Sequence, residues 1–274
     1  MKKIVILFDG QNFSRAAFDF AARLNEQNPV LLAGVFLPSV DYTKMVYYLG
    51  GIDGAMLNAE MEIEADEKAM EANIAVFKEL CVANNIEHRV HATIKGTILE
   101  GITHETRYAD LVILSSDLFY RNLGDRGRNR QLEKTIHLAE CPVVVLPEQY
   151  TFPESIILAF NGSESSMFAI KQFAYLFPEL SGLRTMVVYA TRKTADMPDF
   201  DYIKEYAARH YPDLTFFKLA VDPDEYFNTW ITDVKASMLV AGAFGRSVLS
   251  ESFFHSFTED IISTHKLPVF IAHK

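Results

Sequence analysis

The chain has 274 residues, a net charge of −10 at pH 7 and only two cysteines. That length suits two compact domains better than one oversized core. Acidic residues outnumber basic ones in both halves, 21 to 15 over 1–150 and 15 to 11 over 151–274, so neither half offers the basic face that a nucleic-acid binder needs.

Short apolar runs alternate with stretches of helical period, a rhythm that predicts a parallel sheet covered by helices. The first run, 4–8, reads as a buried strand; it stops at Asp9-Gly10, too short for a secretory leader. Ser14 or Asn12 can cap the helix that follows, with apolar positions recurring from Phe13 to Leu24. A second strand is predicted over 30–36 and a glycine-containing loop over 37–54. A long helix over 55–84 carries Met56, Met61, Met70, Ile74, Phe77 and Leu80 as its apolar stripe, with acidic residues on the solvated side. A third strand over 88–93, a short helix from Gly96-Thr97, a fourth strand over 111–114, a loop over 117–128, a helix over 132–138 and a fifth strand over 142–146 complete the pattern. No run approaches the ~20 apolar residues that span a bilayer. Cys81 and Cys141 lack metal-type spacing and read as free thiols in a reducing compartment.

The same order then recurs: strands over 155–160, 184–189, 214–219, 238–241 and 268–272, with a helix carrying Met167, Ala169, Ile170, Phe173, Ala174 and Phe177 and others near 202–210, 224–235 and 257–265. Three matches carry the repeat. Ile4-Val5-Ile6-Leu7-Phe8-Asp9-Gly10 aligns with Ile156-Ile157-Leu158-Ala159-Phe160-Asn161-Gly162. Asp110–Ser115 aligns with Ser237–Gly242, and Cys141–Val145 with Leu267–Ile271. The expected architecture is therefore two tandem doubly wound, five-stranded parallel-sheet domains of Rossmann-like α/β class, over 1–148 and 153–274, joined by a short linker between prolines.

In an open α/β sheet, ligands bind beyond the carboxyl ends of the strands, where strand order reverses. The loop after the fourth strand of the second copy begins Gly242-Ala243-Phe244-Gly245 and reaches His255-Ser256-Phe257-Thr258 where a helix starts. Glycines admit a phosphate close to backbone N–H groups, and hydroxyls at a helix N-terminus favour an anion. His255 reads as a surface or capping residue rather than a base. Arg121, Arg126, Arg128 and Arg130 form a basic cluster that reads as a solvated loop. No nucleophile–base pair, Walker lysine motif or metal-ligand cluster is apparent, so no catalytic residue is assigned.

The turn after the first strand and the Gly-x-x-Gly, nine residues, then His255-Ser256 of the second copy resemble the universal stress proteins, once per copy and across the whole chain. The resemblance implies an adenine nucleotide, ATP above all, with its phosphates on Gly242, Gly245 and Ser256 and magnesium accompanying them. Asn161 and Ala190 would lie near base and ribose, and His255, Phe257 and Thr258 would border the phosphates. In the first copy the matching loop is Ser115-Ser116-Asp117-Leu118, and Arg128-Asn129 replace its later glycine and serine. That copy is expected to be structural or dimerising. The resemblance further implies a cytoplasmic regulatory protein of stress adaptation, with its copies packed as an intramolecular pseudo-dimer, a homodimeric state, an unknown protein partner and no membrane partner. Two other readings remain open here: a pure interaction protein with two degenerate pockets, and a slow ATP hydrolase.

Overall fold

The structure, a computed structural model, describes residues 1–38, 53–92, 97–120, 130–190, 196–219, 236–242, 262 and 267–272. The chain divides into two compact units, Met1–Glu140 and Cys141–Lys274.

The first unit runs β1 (Lys2–Asp9), α1 (Arg15–Gln27), β2 (Val30–Leu37), α2 (Asp53–Ala83), β3 (Glu87–His91), α3 (Ile98–Arg107), β4 (Leu111–Ser115) and α4 (Arg130–Leu138). Its strands lie in the order β3-β2-β1-β4, all parallel. β4 is buried along its whole length, as a strand covered on both faces must be. Ser14 is the residue that caps α1, its Oγ accepting from the Ala17 N–H at 3.0 Å. Thr97 caps α3 through a reciprocal box with Glu100. Phe8 stacks on Phe13 and Phe36 at 4.8 and 4.9 Å between ring centroids, and Phe77 of α2 meets Phe18 of α1 edge-on at 6.2 Å.

The second unit contains β5 (Val143–Leu146), β6 (Ser155–Ala159), α5 (Glu164–Leu176), α6 (Pro178–Ser181), β7 (Arg184–Ala190), α7 (Phe200–His210), β8 (Leu214–Leu219), β9 (Ser237–Gly242) and β10 (Val269–Ala272). Its strand order is β5-β10-β9-β6-β7-β8. Every pair is parallel except β5 with β10, which run antiparallel, Val144 opposite Phe270. Phe173 of α5 and its C-cap residue Phe177 pack edge-on or tilted against each other and against Phe270. Tyr211, fully buried, donates its hydroxyl to the Ile170 carbonyl at 2.9 Å.

A mostly parallel α/β sheet, as expected, is what the structure shows; the first unit holds four of its expected five strands, and the fifth, β5, falls in the second unit, where it pairs antiparallel with β10. Ile4 lies opposite Leu111 in one unit and Ile156 opposite Met238 in the other. Those are the residue pairs that the sequence alignment equates. Other expectations are corrected. β3 ends at His91 rather than 93. The short α6, started by Pro178 at its first turn, lies between the helix and strand expected there, where no element was expected; four residues are too few to show a period. Met61, assigned to the apolar stripe of the long helix, is 69% exposed. A 31-residue helix is about 46 Å long, whereas an eight-residue strand spans only about 26 Å. The helix therefore outruns the strands it covers. Asp66, placed with the solvated acidic residues, is buried. Among the described residues, no helix is long and apolar enough to cross a membrane.

Candidate functional site

Beyond the carboxyl ends of β6 and β9, three segments of the second unit converge. β6 gives way to Asn161-Gly162-Ser163. The Asn161 side-chain oxygen accepts the Ser163 N–H at 3.0 Å, closing an Asx turn. Gly162 adopts φ +79°, the left-handed region that a side chain resists, and an added Cβ there would lie 2.6 Å from Pro198 Cγ. Ser163 then caps α5, accepting the Ser166 N–H at 3.1 Å. The third segment is the end of β9. A Cβ on Gly242 would stand 2.5 Å from the Ser165 carbonyl carbon and 2.6 Å from Ser166 N. The first turn of α5 thus rests directly on Gly242, and only glycine leaves room for that approach.

Of the site residues read from sequence, Asn161 and Gly242 are brought together around the start of α5. Ala190 ends β7, the strand beside β6, and lies opposite Leu219 of β8. Gly245, His255, Ser256, Phe257 and Thr258 lie outside the described residues, as do Arg121, Arg126 and Arg128.

The corresponding turn of the first unit is built differently. The capping serine follows two residues after Asn161 but five residues after Asp9. The three extra residues carry Asn12 and Phe13. Asp9 is 4% exposed, and its carboxylate accepts from the Asn12 N–H at 2.7 Å, from Asn12 Nδ2 at 2.9 and 3.0 Å, and from the Tyr120 N–H at 2.8 Å. Burial pushes the Asp9 pKa up; the bonds from Asn12 and Tyr120 pull it down, and the neighbouring Asp66 adds to the rise. Tyr120, at φ 51°, donates its hydroxyl to the Pro38 carbonyl at 2.8 Å. The Gly10 carbonyl accepts from Asn73 Nδ2 of α2 at 3.0 Å. A Cβ on Gly10 would meet the Leu37 carbonyl and Met70 at 3.1 Å and Asp66 Oδ1 at 3.4 Å. The chain's own side chains therefore fill this turn's surroundings.

Sequence reading missed Tyr120, Asp66 and Asn73. For the last two a signal existed. Asp66, Met70, Asn73 and Phe77 fall at spacings of four, three and four, one face of a helix. The loop position of Tyr120 carried no such signal. Ser115, which aligns with Gly242, instead uses its Oγ to accept the Leu118 N–H at 3.1 Å.

Comparison with solved structures settles the architecture. A universal stress protein from Archaeoglobus fulgidus DSM 4304 superposes with a TM-score of 0.70 over 100% of this chain and 96% of its own, at 11% identity. The chain has the fold of a universal stress protein. A functionally unknown protein from Pseudomonas aeruginosa PAO1 has a TM-score of 0.57 at 14% identity, covering 99% of this chain and 92% of that one. No family model matches the sequence, and no curated protein matches it. At such identities the fold alone is shared, and the chemistry has to be read from this chain's residues. Among the described residues, no group of three or more His, Cys, Asp or Glu could hold a metal ion.

Proposed function

We propose that this protein is a regulatory adenine-nucleotide binder of the universal stress type, with the nucleotide held by the second unit. The observation that carries the reading is the approach of Gly242 to the first turn of α5, beside the Asn161 turn. This geometry packs Gly242 against the first turn of α5 and so sets that helix N-terminus at the strand ends, an arrangement suited to an anionic ligand. The described residues fit the base and ribose end of a nucleotide. Asn161 uses its carbonyl oxygen to close the turn, and its Nδ2 is the donor that would meet a ribose hydroxyl or a ring nitrogen. The phosphates and an accompanying magnesium would fall to Gly245 and Ser256. The first unit supports no such role, because both oxygens of Asp9 are bonded within the chain and Tyr120 sits over them. That unit is read as a structural partner, and the whole as a cytoplasmic protein whose surface changes with nucleotide for a protein partner.

The test is to release small molecules from the purified, denatured protein for mass spectrometry and to titrate the stripped protein with ATP by calorimetry. Adenine nucleotide is expected, with saturable binding that a Gly245→Val variant loses and an Asp9→Asn variant keeps. No nucleotide and no heat at several temperatures would leave the interaction-protein reading, which the filled crevice of the first unit already favours for that unit.

A further inference from the structure

A cavity of about 660 Å³ opens between α5 and α7, on the outer side of the Gly162-Ser163 turn. Its floor is apolar: Phe160 and Ile203 are buried. Phe168, Tyr202 and Tyr206 bring three more rings to its walls, and Glu164 and Asp199 stand on its rim with one lysine, Lys171. A cavity rich in aromatic faces and edged by more carboxylates than cations is complementary to a positive charge, because the ring quadrupole turns its negative face to the ligand. The protein already uses that chemistry there. Lys171 Nζ lies 5.7 Å from the centroid of the Tyr206 ring.

Two further features set this cavity apart from an incidental cleft. Tyr202 is 78% exposed, a large ring kept in water at the cavity mouth. Asp199 occupies the cap position of α7 at φ 49°, ψ 35°, yet its side chain makes no capping bond. An aspartate at a helix start ordinarily binds the first turn's N–H groups. Here the left-handed backbone, fixed where Pro198 lies on Gly162, holds the carboxylate at the rim instead. An aspartate that lines a cavity and makes no cap bond has its carboxylate left for a ligand.

We propose that this cavity binds a small organic cation, an ammonium carrying methyl or methylene groups, with Tyr202 and Tyr206 against its face and Asp199 and Glu164 balancing its charge. The cavity borders the nucleotide crevice through Gly162, Ser163 and Glu164, and the two readings fail separately because this one is read by an ammonium and the other by a nucleotide. Lys171 is the built-in competitor, its ammonium occupying the ring a ligand would use.

The experiment is a calorimetric or ligand-observed NMR titration of the full chain with choline chloride and with tetramethylammonium chloride, at ionic strength matched by sodium chloride. Saturable binding of both is expected, and none of sodium. Tyr202→Ala and Asp199→Asn should each weaken it by roughly threefold to fivefold, the effect of one partly exposed cation–π or charge contact. Lys171→Met should strengthen it. The first two variants keep the fold, since Tyr202 is exposed and asparagine tolerates the left-handed backbone. Absence of saturable ammonium binding overturns the proposal. So does binding that both variants leave unchanged, or a preference for benzoate that disappears with Lys171→Met, which would assign the cavity to an anion.

Discussion

Asp9 closes the first strand of one unit with a buried carboxylate that accepts four hydrogen bonds from two residues. Asn161 closes the corresponding strand of the other with a half-buried amide that closes a single turn. Both follow the same β-strand at the same register, and both precede a glycine. The difference is the three residues inserted before the helix cap in the first unit. They supply Asn12 to satisfy Asp9 and Phe13 to stack on Phe8. β4 ends in Ser115, whose Oγ accepts the Leu118 N–H, where β9 ends in Gly242 packed against α5. One fold thereby carries a short turn closed by a single Asn161 bond and a long turn closed around a buried carboxylate.

The largest consequence of this contrast should be energetic. Asp9→Ala strands the buried Tyr120 N–H and leaves the Asn12 N–H only its 3.2 Å bond to the residue-9 main-chain carbonyl, at roughly 1–3 kcal/mol for a buried donor left unmade. We expect a loss of about 2 kcal/mol from the first unit. Asn161→Ala removes one turn bond near solvent and should cost about 1 kcal/mol. Urea unfolding of the full chain separates the two. The one tryptophan, Trp230, belongs to the second unit, so its fluorescence follows Asn161→Ala while far-UV dichroism follows both units. Equal losses would mean that Asp9 is no more committed to structure than Asn161.

Comparable in size is the glycine series, which probes how closely backbone approaches backbone. Gly242→Ala places a methyl against the main chain of Ser165 and Ser166, which cannot swing aside, and should cost about 2–3 kcal/mol, the upper range for overpacking. Gly162→Ala meets the Pro198 ring and a left-handed backbone that costs a side chain roughly 1–2 kcal/mol. Gly10→Ala meets a flexible methionine end and a carbonyl at 3.1 Å without a left-handed backbone, and should cost about 1 kcal/mol. Thermal melts of the three variants check the order. A Gly10 variant as damaged as the Gly242 variant would show that the two turns are equally tight.

Much of this was legible in the sequence because it depends on periodicity. The strands, the long helix and the helix starts at Ser14 and Thr97 follow from spacings of two and 3.6 and from residue types with local preferences. What escaped was set by contacts distant in sequence. Tyr120 reaches Asp9 across 111 residues, and nothing local marks it. Gly242 looked like a phosphate glycine, and its crowding by α5 is invisible without the helix in place. Asp66 was partly legible: its helical face is that of Met70 and Phe77, but an acidic residue among acidic neighbours reads as solvated. The cavity between α5 and α7 needed two helices whose facing residues lie some forty positions apart, from Met167 and Lys171 to Tyr206.

The smallest expected effect isolates the physics of the closed corner. Asp9 is pulled both ways: burial and the charge of Asp66 raise its pKa, bonds from Asn12 and Tyr120 lower it, and the net direction is upward from 3.8. The native state therefore holds a proton over a range of pH where the unfolded chain has released it. Stability rises with pH only where the unfolded state binds more protons, so this group acts in the opposite sense. Its contribution is complete below about 3.8 and falls as pH rises through the native pKa, levelling beyond it. The checking measurement is the difference in unfolding free energy between wild type and Asp9→Asn, followed from pH 3.5 upward. Carboxylates far from the site cancel in that difference, leaving Asp9 and its coupling to Asp66. A declining difference supports burial as the dominant influence. A rising one would mean that the donors of Asn12 and Tyr120 stabilise the ionised carboxylate by more than its burial costs, and the first turn would then be a preformed anion cradle whose anion is its own side chain.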